Sequence, residues 1–140
     1  MSCNILIVED EVSIRDSLAE LFEVEGTRVI QVGTLDEAKA ALAAEPYQLI
    51  LSDIRLGGKR DGGLQVMAAA GLLSPEAVVI ALTAFPDQDN RLASQRLGAT
   101  YFLEKPADLE TIASIAAKHS VPSSLFPHAA SAAEGTSPGG

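Results

Sequence analysis

Gln48-Leu49-Ile50-Leu51-Ser52-Asp53 is a short, nearly continuous apolar run that halts at a carboxylate. A run of this length without polar alternation suits a strand covered on both faces, as in the middle of a parallel sheet. An acid directly after such a strand stands where open parallel sheets bind their ligands, beyond the carboxyl ends of the strands.

Upstream, Thr34 and Glu37 form a capping box ahead of Leu35, Ala38, Ala41 and Leu42, whose helical spacing ends at Pro46. Arg28 to Val32 reads as a strand that follows a helical stop at Gly26. Ile14, Leu18, Leu21 and Phe22 give a helical apolar face with Ser13 as its expected cap, and Asn4 to Val8 is a further apolar strand ending at Glu9-Asp10-Glu11. Downstream, Gly57 to Gly63 is polar and glycine-rich, too permissive in its dihedrals for a regular element, and is expected to be a loop. Leu64 to Leu73 predicts a short helix, Ala77 to Leu82 the most apolar strand, Asp87 to Leu97 a polar helix and Thr100 to Leu103 a fifth strand. Asp108 is placed to cap a last helix that buries Leu109, Ile112, Ile115 and Ala116. Five strand-helix pairs joined by right-handed crossovers predict an α/β fold, a doubly wound five-stranded parallel sheet with helices on both faces.

Bulk properties narrow the functional classes. At 140 residues and 47% apolar composition, the chain is sized for one domain, expected over 1–120, with a Pro/Ser/Ala/Gly-rich and disordered tail over 121–140. Leu125 and Phe126 could pack back on the domain or meet a partner. The formal net charge of -9 disfavours direct nucleic-acid binding. No apolar run approaches a membrane span and the first residues lack a signal-peptide pattern, so the expectation is a cytoplasmic protein without membrane insertion. Cys3 is the single cysteine, which excludes an intrachain disulfide, and it is read as a small residue near the first strand.

Five polar groups fall at the carboxyl rim of the expected sheet. Glu9 and Asp10 follow the first strand, Asp53 the third, Thr83 the fourth, and Lys105 lies just past the fifth. Three carboxylates at one rim repel one another and favour protonation unless a cation is supplied. Magnesium, which takes few protein carboxylates and keeps waters, fits Glu9, Asp10 and Asp53 better than a calcium cage, with manganese as the alternative hard ion. Lys105 can neutralise charge from the other side and the Thr83 hydroxyl can donate to an anionic oxygen. A carboxylate is also a nucleophile toward phosphorus, and Asp53, at the end of the middle strand, is the best placed of the three. His119 and His128 lie late in the chain and are read as solvated.

Ile5-Leu6-Ile7-Val8-Glu9-Asp10-Glu11, Leu51-Ser52-Asp53-Ile54-Arg55-Leu56, Ala81-Leu82-Thr83-Ala84 and Leu103-Glu104-Lys105-Pro106, in this order and spacing, resemble the response-regulator receiver family, stand-alone type, over residues 4 to about 118. The resemblance implies the receiver (flavodoxin-like) fold, Glu9 and Asp10 as metal-side acids, Asp53 as phospho-acceptor, and the backbone carbonyl of Arg55 as a further metal ligand. It implies Thr83 as the switch hydroxyl and Lys105 as the phosphate-contacting lysine. It makes Phe102 the reorienting aromatic on the fifth strand, which lacks the phenolic hydroxyl of tyrosine and must signal by packing. A partner surface including Arg91, Gln95, Phe102 and Asp108 follows. Arg55 and Phe85 fall at the positions that tune acyl-phosphate lifetime, and Phe85 is expected to screen water. The sequence departs from the family pattern at Gly57, where proline is frequent, in the spacing to Asp61-Gly62, and at Ala107, where an aromatic is frequent.

The expected function is a phospho-accepting single-domain response regulator of two-component or phosphorelay signalling that switches protein-protein interactions. It is not an enzyme with an external substrate, although it would slowly hydrolyse its own aspartyl phosphate. Expected partners are a histidine kinase or histidine phosphotransfer protein and an effector protein, with homodimerisation left open. Two other readings are an intermediate phosphate shuttle or sink, and a constitutive scaffold without a phosphorylation switch.

Overall fold

The structure, a computed structural model, describes residues 3–57 and 62–129. Among these, strands and helices alternate as β1 (Cys3–Val8), α1 (Val12–Phe22), β2 (Thr27–Val32), α2 (Leu35–Ala44), β3 (Leu49–Asp53), α3 (Gly62–Leu73), β4 (Val78–Thr83), α4 (Gln88–Arg96), β5 (Tyr101–Glu104) and α5 (Leu109–Lys118). The five strands form one parallel sheet in the order β2-β1-β3-β4-β5. The chain winds outward in both directions from β1 and β3, as the doubly wound reading requires.

Successive side chains of a strand point to opposite faces, and here that alternation divides the core in two. Ile5, Ile7, Leu49, Leu51, Ile80 and Leu82 face Leu18, Leu21 and Phe22 of α1 and Ile112, Ile115 and Ala116 of α5. Leu6, Val8, Ile50, Val79 and Ala81 face Ala38 and Leu42 of α2 and Val66, Met67 and Ala70 of α3. All five residues of β3 are buried, which explains its lack of polar alternation. Each fully buried Leu or Ile there contributes about 1.5–3 kcal/mol over an exposed one, so the strand that carries Asp53 is firmly seated.

Local chemistry fixes the helix starts unevenly. The Thr34 hydroxyl accepts from the Glu37 N–H at 3.1 Å, and the Glu37 carboxylate reaches back to the Gly33 N–H at 3.0 Å. Asp87 caps α4 through the Asn90 N–H at 2.8 Å. Ser13, expected to cap α1, instead lies inside it: the helix begins at Val12 behind Glu11, which makes no side-chain cap. The turn ahead of it is already closed, because the Glu9 carboxylate accepts the Glu11 N–H at 3.0 Å. Asp108 precedes α5 without capping its backbone, and bonds the Thr111 hydroxyl at 3.2 Å instead.

The expected loop over 57–63 is shortened by α3, which takes in Gly62 and Gly63. The reason is close packing: a side chain on Gly63 would collide with the Asp53 carbonyl oxygen, and one on Gly62 would press on Leu56. Residues 58–61 lie outside the described residues. The expected tail meets the structure over 121–129. Val121, Pro122 and Ser123 are buried there, and the Ser124 N–H donates to the Leu21 carbonyl at the end of α1 at 2.8 Å. The rest of the expected tail, 130–140, lies outside the described residues.

Candidate functional site

The register of the sheet assembles the site. Val8 pairs with Ser52, so Glu9 and Asp53 leave their strands side by side. Asp53 pairs with Leu82 and Thr83 with Glu104, and the Lys105 N–H donates to the Thr83 carbonyl at 2.7 Å, which brings Lys105 over the same rim. Asp53 and Thr83 are the last residues of their strands rather than the first beyond them.

Asp53 is 6% exposed and its two oxygens are differently engaged. Oδ1 accepts the Arg55 N–H at 3.1 Å and Oδ2 accepts from the Lys105 ammonium at 3.0 Å. The same ammonium stands 2.5 Å from Glu9 Oε1, an ion pair without hydrogen-bond geometry, so that this buried oxygen has no other partner. Burial pushes the Glu9 carboxyl above its ordinary range, the neighbouring Asp53 charge adds to this, and Lys105 and the Glu11 N–H hold it back. Burial works against the Lys105 charge, but contacts with Glu9 and Asp53 outweigh it and hold the ammonium above its ordinary pKa.

Asp10 is exposed, and its Oδ2 accepts the Gly57 N–H at 3.0 Å. Gly57 has a φ of 58°, so this position requires the left-handed conformation and an amide hydrogen, neither of which proline offers. The departure from proline there is thus tied to Asp10. Oxygens of Glu9, Asp10 and Asp53 lie within 4.8 Å of one another. With the buried Glu9 Oε1 accepting no hydrogen bond, this donor set can hold a divalent cation.

Thr83 is 1% exposed and its hydroxyl accepts the Phe85 N–H at 2.9 Å. Phe85 is 49% exposed and the Arg55 guanidinium stacks on its ring, 4.0 Å from the centroid. The two positions expected to tune lifetime are therefore in contact. At the edge of the sheet, the Arg91 guanidinium lies 4.7 Å from the centroid of the half-buried Phe102 ring. Gln95, one turn after Arg91 in α4, and Asp108 are both exposed. His119 and His128 are exposed, the former bonded to the Tyr101 hydroxyl at 2.9 Å. Beside Lys105, a groove of about 290 Å³ opens between α1 and the start of α5, lined by Ile14, Leu18, Leu82, Pro106 and Ala107.

Two contributors carry no signal in the motif spacing. Gly63 lets α3 start against the Asp53 backbone, its N–H bonding the Ile54 carbonyl at 2.7 Å. Arg15 of α1 donates to the Glu9 carbonyl at 3.0 Å.

The chain is similar to Sporulation initiation phosphotransferase F of Bacillus subtilis, 30% identical over 112 residues that cover 80% of this chain and 89% of that protein. It is 26% identical to the Response regulator protein FleR of Pseudomonas aeruginosa over 86% of its own length, but spans only 25% of that relative. Among solved structures, a response regulator from Burkholderia pseudomallei, with a phosphorylated aspartic acid, calcium ion and citrate, superposes with a TM-score of 0.73 at 28% identity, over 97% of this chain and 74% of that one. Among the described residues no helix is long and apolar enough to cross a membrane. The pattern of the response regulator receiver domain matches residues 5–117. With its acidic pocket at the carboxyl rim of a five-stranded parallel sheet, the chain belongs to the response regulator receiver domain family, whose members serve in signal transduction.

Proposed function

We propose that this chain is a phosphorylation-controlled signalling module of two-component or phosphorelay type. Asp53 takes a phosphoryl group from a phosphohistidine on a histidine kinase or histidine phosphotransfer protein. The observation that carries this is the Asp53 carboxylate itself, buried, with one oxygen on an amide and the other on the Lys105 ammonium, beside two further acids. A phosphorylated aspartic acid and a bound divalent ion in the Burkholderia pseudomallei relative support the same assignment.

In the transfer, an Asp53 oxygen forms the bond to phosphorus as the phosphorus-nitrogen bond breaks and the electron pair leaves with the imidazole. Lys105 offsets the negative charge of the phosphoryl oxygens, and the Thr83 hydroxyl leaves the Phe85 amide to donate to one of them. Glu9, Asp10, Asp53 and the Arg55 carbonyl would hold magnesium, or manganese in its place, which when bound supplies positive charge against the phosphoryl group. The stacked Arg55 and Phe85 cover the open side and slow the attack of water on the acyl phosphate. The chain hydrolyses its own phosphate and turns over no other substrate. Phe102 repacks as Thr83 moves, and the surface with Arg91, Gln95, Phe102 and Asp108 passes the change to an effector protein.

A relay role is favoured by one further finding: the relative of which the chain covers 89% is named a phosphotransferase. Return of the phosphoryl group to a phosphotransfer histidine faster than hydrolysis selects this reading.

The test is incubation with magnesium and acetyl phosphate, followed by mass spectrometry. One phosphoryl group is expected on Asp53, absent from the Asp53→Asn variant, whose circular dichroism is unchanged. Labelling that persists in Asp53→Asn overturns the assignment. Partner affinity indifferent to beryllofluoride and magnesium would leave a constitutive scaffold instead of a switch.

A further inference from the structure

Arg15 is a half-buried cation one turn into α1 whose guanidinium the phosphoryl chemistry does not use. Its Nη1 donates to the Glu9 carbonyl oxygen at 3.0 Å. The guanidinium fills the space that a side chain at residue 33 would need: an ideal Cβ on Gly33 would stand 2.5 Å from Nη1 and 3.6 Å from the Glu9 carbonyl oxygen. Gly33 is not among the glycines with positive φ, which are Gly26, Gly57 and Gly98. No positive φ reserves the position for glycine, and the one close neighbour of an added Cβ is the guanidinium, the movable end of a long side chain, which a residue larger than glycine would push aside.

The Gly33 backbone is itself held from α2. The Glu37 carboxylate accepts the Gly33 N–H at 3.0 Å, and that bond, then the Thr34 hydroxyl and more weakly the Arg15 charge, hold Glu37 below its ordinary pKa. Arg15 thus bridges the end of β1 and the residue that follows β2, at the rim where the acids gather.

Fixing the Glu9 carbonyl fixes more than Glu9. That carbonyl belongs to the planar peptide leading into Asp10. The Glu9 N–H is already tied to the Val32 carbonyl at 3.0 Å and its carboxylate to the Glu11 N–H. The tilt of the 9–10 peptide aims the exposed Asp10 side chain, whose carboxylate the Gly57 N–H holds at its far end, and the Arg15 bond restrains that tilt.

We propose that Arg15 is a positioning residue for the metal-side acids: by holding the Glu9 carbonyl from α1, with Gly33 as its seat, it presets Asp10 and Glu9 for a divalent cation. The proposal rests on the reading of Glu9, Asp10 and Asp53 as a cation site. Simple electrostatics pulls in the other direction, since a guanidinium near a cation site repels the cation. Removing Arg15 would then tighten binding, whereas a positioning role requires that it weaken.

Calorimetric magnesium titrations of the full chain, of Gly33→Ala, of Arg15→Gln and of the double variant separate these outcomes. Gly33→Ala and Arg15→Gln are each expected to weaken magnesium by about tenfold, the lower end of the effect of outer-shell partners. The double variant is expected to be no weaker than the weaker single one, because Gly33→Ala acts only by displacing the guanidinium. In acetyl phosphate labelling, the half-saturating magnesium concentration should rise while the rate at saturating magnesium stays unchanged. Tighter magnesium binding by Arg15→Gln, unaltered affinity in Gly33→Ala, or single effects that multiply in the double variant would each overturn the proposal. Failure of the unsubstituted chain to bind magnesium would instead overturn the cation site, and the positioning role with it.

Discussion

Replacing Lys105 with methionine, which keeps most of the unbranched stem and removes the ammonium group, is the sharpest test of the electrostatics of the pocket. The ammonium stands 2.5 Å from Glu9 Oε1 and 3.0 Å from Asp53 Oδ2. At an effective dielectric constant of about 20, these attractions amount to about 7 and 6 kcal/mol before either partner's desolvation is subtracted. Most of this is offset by the penalty of burial, but removing one member of a buried pair strands the other, at a net cost of about 3–5 kcal/mol. Lys105→Met is therefore expected to lose about 3 kcal/mol at neutral pH in chelator, read by urea denaturation. Two additions should restore part of it. Magnesium replaces the missing positive charge, and acidification toward the ordinary carboxyl value of 4.5 lets a proton neutralise Glu9. A deficit below about 1 kcal/mol, the value of an exposed pair, or one indifferent to both magnesium and pH, would refute the reasoning.

Gly63→Ala should destabilise the fold by about 3 kcal/mol, the upper end of overpacking, because the obstructing atom is the Asp53 backbone carbonyl; an equally stable variant on thermal melting would contradict the close approach. Thr34→Ala removes the cap of α2 and should cost about 1 kcal/mol in urea denaturation. The raised Glu9 carboxyl keeps its proton in the folded state after the unfolded chain has released it, so stability contributed by this group falls as pH rises past 4.5. Glu9→Gln should flatten that limb of a pH-stability curve. Lys105, also raised, contributes stability that is complete below 10.5 and is lost as pH climbs through its higher folded value, a decline absent from Lys105→Met. Phe85→Ala should shorten the acyl-phosphate lifetime measured by radiolabel decay, and a lifetime equal to or longer than the parent's would remove Phe85 from the cover.

The sheet and the acids were legible because they rest on rules that act within a few residues. Apolar runs such as Leu49 to Leu51 are dictated by burial on both faces, and parallel register then carries Glu9, Asp53, Thr83 and Lys105 to one rim. What escaped depends on atoms far apart in the chain. Glycine at 62 and 63 argues for a loop by its own preferences, yet α3 needs both because no side chain fits against Asp53 and Leu56. Ser13 is a good cap by type, but the Glu9 carboxylate had already closed the turn before it. The composition of 121–129 suggests a tail, whereas the Leu21 carbonyl at the end of α1 has a partner in the Ser124 amide. Arg15 and Gly33 show their relation only when β1, β2 and α1 are assembled.

The bond between the Thr83 hydroxyl and the Phe85 N–H makes residue 85 a built-in reporter. Any event that turns the hydroxyl elsewhere strips that amide of its acceptor, and an amide so released trades its proton with solvent faster and shifts its nuclear resonance. A single peak in a nitrogen-correlated spectrum can thus be followed through each stage of a titration, with no label attached and no partner in the tube.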